Sequence, residues 1–74
     1  MEAFSQKDYQ KARYLLKQSA AELPDNASIY LGLALTYEQL GDLQSAQVFA
    51  QKVSNLEPNN FTAINLLSRI QIAK

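Results

Sequence analysis

The two residue types that most often carry catalytic and metal-binding chemistry are missing from this chain, because its 74 residues include no histidine and no cysteine. Without these two residue types the chain lacks the common general base, the common soft nucleophile and most zinc or haem ligands. The seven carboxylates are scattered, and no serine stands in a recognisable pattern with an activating base. We therefore expect no catalytic residue, no metal site, no cofactor and no enzymatic activity.

Basic and aromatic residues near the start of the chain could in principle stack against single-stranded nucleic acid. Acidic residues are interspersed among them, and the seven basic residues of the chain are balanced by seven acidic ones. A solvated helix face is therefore the better interpretation, and we expect no nucleic-acid partner. The residues of this strip are Lys7, Tyr9, Lys11, Arg13, Tyr14 and Lys17.

The apolar residues are spread along the chain rather than gathered into one long run. They make up 47% of the composition, which excludes a disordered chain. No apolar run reaches the roughly 20 residues that a membrane-spanning helix needs. The first five residues also lack the charged and apolar regions of a signal peptide. We expect no membrane insertion and a soluble chain, with the cytoplasm the favoured location.

Helices that recur at a fixed interval must position any functional side chain. The breaker Pro24-Asp25-Asn26 returns as Pro58-Asn59-Asn60, and Gly41 marks a further turn between them. We call the step from Pro24 to Pro58 the repeat shift. Between the breakers the apolar residues recur at spacings of three and four, which is the period of one helix face. The pattern predicts helices over 7–23, 27–40, 42–56 and 61–73, and residues 1–6 as the end of a truncated earlier helix.

The repeating unit resembles the tetratricopeptide repeat. In its first helix the family has a large aromatic residue, then leucine, a small residue and tyrosine at set spacings; in its second helix it has small and aromatic sites, and a proline closes the unit. The resemblance implies an all-α, right-handed antiparallel helix-turn-helix solenoid of about four helices. The matching residues are Tyr30, Leu33, Ala34, Tyr37, Ala46, Ala50 with Phe49 beside it, and Pro58.

The same resemblance divides the single domain of residues 1–74 into three parts. These are the second half of one repeat (1–26), a complete repeat (27–60) and the first half of another (61–74). We expect Gly32 to be small because another backbone approaches it closely. In the last helix we expect Ile64, Leu67 and Ile70 on the buried stripe, with Leu66 and Ile72 off it.

The family binds proteins on a concave face that is lined by the first helix of each repeat, so the resemblance implies a protein-binding scaffold. Helical turns counted from the core stripe place Ser28, Leu31, Leu35, Glu38 and Gln39 on that face. The repeat shift then selects Thr62, Asn65, Arg69, Ile72 and Ala73.

Two arrangements of this face are open at this point. Leu31 and Leu35, beside Asn65 and Arg69, would suit an apolar helix or an extended peptide with a few polar anchors. Alternatively, the two leucines pack under a neighbouring helix. Family members that clamp acidic peptide tails carry Lys, Asn and Arg at set positions, and the matching sites here do not, so that activity is not expected.

Two functions remain in competition. The first is recognition of a partner protein's peptide or helix on the concave face. The second is a structural role, in which the ends of the module stack on neighbouring repeats or form a homodimer, because apolar surface on Tyr9, Leu16, Ile70 or Ile72 lacks cover within the chain.

Overall fold

The computed structural model describes residues 8–73, and this stretch forms helices without any β-strand. Three short turns connect the helices and bring consecutive ones back against each other. The bounds agree with the predicted helices to within one or two residues at each end, which confirms the all-α helical-repeat fold. The prediction for residues 1–6 lies outside the described part of the chain. The helices are α1 (Tyr9–Glu22), α2 (Ala27–Gln39), α3 (Leu43–Leu56) and α4 (Phe61–Ala73).

The turns before α2 and α4 have the same hydrogen-bond pattern. In the first, the Leu23 amide donates to the Ser19 carbonyl at 2.8 Å; in the second, the amide of Glu57 donates to the Val53 carbonyl at 2.7 Å. Each turn then ends in an asparagine whose Oδ1 accepts from a first-turn amide of the next helix, at 3.2 Å for Asn26 and 3.1 Å for Asn60. The recurrence of Pro-Asp/Asn-Asn is thus a recurrence of backbone structure.

The turn between α2 and α3 depends on one glycine and one aspartate. Gly41 has a φ of 85°, a left-handed conformation in which a side chain is unfavourable. Asp42 then caps α3: its Oδ1 accepts from the Ser45 amide at 3.1 Å, and its Oδ2 accepts from the Ser45 hydroxyl at 2.9 Å. The predicted turn at Gly41 is confirmed, and the next helix begins within one residue of its predicted start at position 42.

Helix α2 is the centre of the molecule. It packs against α1 on one side and α3 on another, and it also touches α4. This contact on several sides explains why its apolar residues are not confined to one stripe. Thr36, which the periodicity did not select, is buried as well, and its hydroxyl donates to the Gly32 carbonyl at 2.7 Å. The buried residues of α2 are Ala27, Tyr30, Leu33, Ala34, Thr36 and Tyr37.

Helices α2 and α3 are joined by a stack of aromatic rings. The ring of Phe49 lies 6.1 Å from that of Tyr30 and 5.6 Å from that of Tyr37, both nearly parallel to it. Ala46, Ala50 and Val53 on α3 are fully buried. The small residues allow α3 to approach closely, while Phe49 supplies the large ring beside the alanine that stands at the family's aromatic site.

The prediction for α4 is partly wrong. Leu66, placed off the stripe, is fully buried, and Ile64, placed on it, is exposed. Ile70 is buried, as predicted for the stripe, so it does not contribute uncovered surface as was also expected. The physical reason is that α3 and α2 lie on the side of α4 that carries Ala63, Leu66 and Ile70, and within residues 8–73 no helix follows to cover the side with Ile64.

Gly32 is approached closely, but by a side chain rather than a backbone. A Cβ atom built at Gly32 would lie 3.3 Å from Cδ1 of Leu16 on α1. The expectation of a close contact is therefore confirmed, and its partner is corrected. Leu16 is half-buried against the core because it fills the space that the glycine leaves.

Candidate protein-binding face

An ion pair joins helices α2 and α4. Arg69 on α4 donates from Nε to Oε2 of Glu38 on α2 and from Nη2 to Oε1, each at 3.1 Å. This two-bond geometry fixes the planar guanidinium against the carboxylate. Two residues predicted for the same face are thus brought together across α2 and α4.

The charges of this pair neutralise each other. The hydrogen bonds to Glu38 raise the pKa of the Arg69 guanidinium, and the negative charge of Glu38 raises that pKa to a smaller extent. Because that pKa is raised and already lies far above neutrality, Arg69 stays positively charged over the whole physiological range. The Arg69 side chain is 55% exposed and that of Glu38 only 19%. The guanidinium therefore remains accessible, whereas the carboxylate is largely covered.

The two leucines predicted for the face have an intermediate position. Leu31 and Leu35 are half-buried and pack against the core cluster. Each therefore serves the core with part of its surface and presents the remainder to solvent. These positions are compatible with both alternatives for the two leucines, contact with a ligand and packing against a neighbouring helix.

The polar residues Ser28, Gln39, Thr62 and Asn65, also predicted for the face, are exposed. Ser28 and Gln39 lie on α2, and Asn65 lies on α4. Ile72, which the repeat shift also selected, is 85% exposed and is the most exposed large apolar side chain among the described residues. A face with half-buried leucines, exposed amides and a projecting isoleucine can bind a ligand through both apolar contact and hydrogen bonds.

The sequence did not predict the pairing of Glu38 with Arg69, although it placed both residues on the face. The repeat shift aligns Arg69 with Leu35 and Glu38 with Ile72, so the pair is diagonal to the repeat. A signal was available, since Leu35 and Glu38 are three positions apart and occupy neighbouring turns of one helix face. Opposite charges that are one helical turn out of alignment under the repeat shift can therefore meet between α2 and α4.

Neither a metal-binding cluster nor a membrane-spanning helix is found among residues 8–73. In the stretch 8–73, no three acidic side chains come together in a group that could hold a metal ion. Each helix in the same stretch is too short or too polar to cross a bilayer.

The helix pairs and the repeated capped turns define a helical-repeat protein. A family model described as tetratricopeptide repeat matches residues 3–73, so the chain belongs to the tetratricopeptide repeat family. Such repeats generally mediate protein–protein interaction and are typically non-catalytic scaffolds. No curated protein and no solved structure matched the chain.

Proposed function

We propose that this protein is a non-catalytic recognition module that binds a peptide or helix of a partner protein on the face formed by α2 and α4. The face consists of Ser28, Leu31, Leu35, Glu38, Gln39, Asn65 and Arg69. Residues 27–60 act as one complete repeat, and the flanking half-repeats extend the surface on either side.

The observation that most supports this function is the Glu38–Arg69 pair. Its two 3.1 Å hydrogen bonds link α2 to α4, so polar groups of these two helices lie close together. A surface that is held in place before binding loses less conformational entropy when a ligand arrives. Family membership supplies the expectation of a protein ligand.

The chemistry of the face favours a mainly apolar ligand with a few hydrogen-bonding groups. Leu31 and Leu35 offer apolar surface, and Asn65 offers both a donor and an acceptor. Arg69 keeps free donor capacity in its exposed guanidinium, but its charge is already paired with Glu38. A strongly acidic ligand therefore gains less here than it would at an unpaired cluster of cations.

The probe for this proposal is a display library of random twelve-residue peptides selected against the full chain. Peptides that bind are synthesised, and their dissociation constants are measured for the wild type and for Asn65→Ala and Arg69→Ala. The matched control is Asn55→Ala, which removes an exposed asparagine from α3. Circular dichroism establishes that each variant keeps its helices.

We expect the two α4 variants to bind the selected peptides more weakly, each by about fivefold, because one hydrogen bond contributes about 1 kcal/mol. Asn55→Ala should leave the affinity unchanged. Selected peptides that lose affinity with Asn55→Ala but not with Asn65→Ala or Arg69→Ala would place recognition elsewhere and overturn the proposal.

A further inference from the structure

One side of α4 has no cover within residues 8–73, and α2 shows what would cover it. Tyr30 and Tyr37 of α2 are buried against Phe49 of α3. The repeat shift aligns those tyrosines with Ile64 and Gln71 of α4. Ile64 is 40% exposed and Gln71 is exposed, because the described chain contains no counterpart of α3 after α4.

Phe61 extends the uncovered side of α4 at its first turn. Its counterpart in the repeat is Ala27, which is buried, whereas Phe61 is 73% exposed. The exposed aromatic ring of Phe61 therefore offers apolar surface that another helix could cover. We call Phe61, Ile64 and Gln71 the α4 end face.

Helix α1 carries the complementary surface at the opposite end of the molecule. The repeat shift aligns α1 with α3, and it aligns Leu15 with Phe49, the residue that stacks between the two tyrosines of α2. Leu15 is 49% exposed. Ala12 and Ser19 beside it are half-buried, and they are small, as the close approach of another helix requires. We call Ala12, Leu15 and Ser19 the α1 end face.

The equivalence of α1 and α3 rests on backbone structure as well as on sequence. The hydrogen bonds that end α1 and α3 are the same, and so are the asparagine caps of the helices that follow. The two halves of one helix–helix interface are therefore present in a single chain, and Leu15 in one half and Ile64 in the other are exposed. An interface already made by α2 and α3 defines how the two halves would fit.

We propose that α1 of a second copy of this chain occupies the α4 end face, in the position that α3 takes against α2. Leu15 of the second copy then lies against Ile64 and Gln71, and Phe61 covers the adjacent turn. The contact is heterologous, so a dimer keeps one free α1 end face and one free α4 end face, and further copies can add head to tail.

Sedimentation velocity of the full chain tests this from about 10 μM to about 1 mM, a range suited to weak association through one small helix face. The variants are Leu15→Lys and Ile64→Lys, each at a solvent-accessible position that should tolerate lysine. Val48→Lys on α3 is the control, because Val48 is an exposed apolar residue outside both end faces. Circular dichroism establishes that the variants remain helical, and Phe61→Lys replaces Ile64→Lys if that variant unfolds.

We expect wild type and Val48→Lys to grow in mean mass with concentration, and each end-face variant alone to stay monomeric. An equimolar mixture of Leu15→Lys and Ile64→Lys should form a dimer and nothing larger, because one supplies an intact α4 face and the other an intact α1 face. A monomeric wild type at every concentration would overturn the proposal. So would loss of association in Ile64→Lys with full association in Leu15→Lys, since that result indicates a symmetric α4–α4 dimer.

Discussion

At the scale of single residues, Gly41 gives the sharpest prediction. Its φ of 85° is unfavourable for any residue with a Cβ atom, so Gly41→Ala should lower the free energy of unfolding by about 1–2 kcal/mol. Urea denaturation followed by circular dichroism measures the change. Gly32→Ala is the comparison: its Cβ would displace only the flexible end of Leu16, and the gain in helix propensity of about 1 kcal/mol opposes that cost. Equal losses for both variants would contradict the argument.

The positions of the turns were also the feature of the chain that the sequence predicted best. Asn26, Asn60, Gly41 and Asp42 each have a local role that depends on the residue's own chemistry and the adjacent amides. Thr36 shows the opposite case, because its burial depends on which helices surround α2. Its hydroxyl is satisfied by the Gly32 carbonyl one turn earlier, which allows a polar residue in a fully covered position.

At the scale of elements, the pairing of α2 with α3 depends on Phe49. Its ring stacks between Tyr30 and Tyr37, so Phe49→Ala removes both ring contacts and leaves a gap between the helices. We expect Phe49→Ala to lower the free energy of unfolding by about 2–3 kcal/mol. This is somewhat below the usual cost of truncating a phenylalanine, because Phe49 is only half-buried.

A small domain has a small free energy of unfolding, so this change should strongly lower the midpoint temperature of unfolding. Circular dichroism at rising temperature measures it. Val48→Ala is the matched control, since it truncates the exposed neighbour on the same helix, and its effect should stay within about 0.5 kcal/mol. A midpoint for Phe49→Ala equal to that of Val48→Ala would refute the proposed role of the stack.

The limits of the sequence at this scale are visible in α4. Apolar residues occur at positions 64, 66, 67, 70 and 72, which surround the helix, so periodicity alone does not select the buried side. The core stripe of α2 was transferred to α4 by the repeat, but that stripe is buried by α3 and α4 has no such partner in the described chain. The predicted burial of Ile64 and the predicted exposure of Leu66 were wrong for that reason. The positions and bounds of the helices were predicted correctly.

At the scale of the whole molecule, the proposals involve two kinds of surface with different chemistry. The α2–α4 face combines half-buried leucines with exposed polar groups and an ion pair, which suits a separate protein ligand. The two end faces carry the halves of a helix–helix contact that the chain already makes internally. The two surfaces use different residues, so a substitution such as Ile64→Lys should abolish self-association and leave peptide binding intact.

The most direct measurement of the central claim is the location of a bound ligand. A peptide selected from the display library is titrated into the ¹⁵N-labelled Ile64→Lys variant, so that self-association does not contribute, and amide chemical shifts are followed residue by residue. We predict that the largest shifts fall on Leu31, Leu35, Asn65 and Arg69, with little change on the exposed side of α3 around Val48 and Asn55. Shifts concentrated on α3, with α2 and α4 unaffected, would contradict the account.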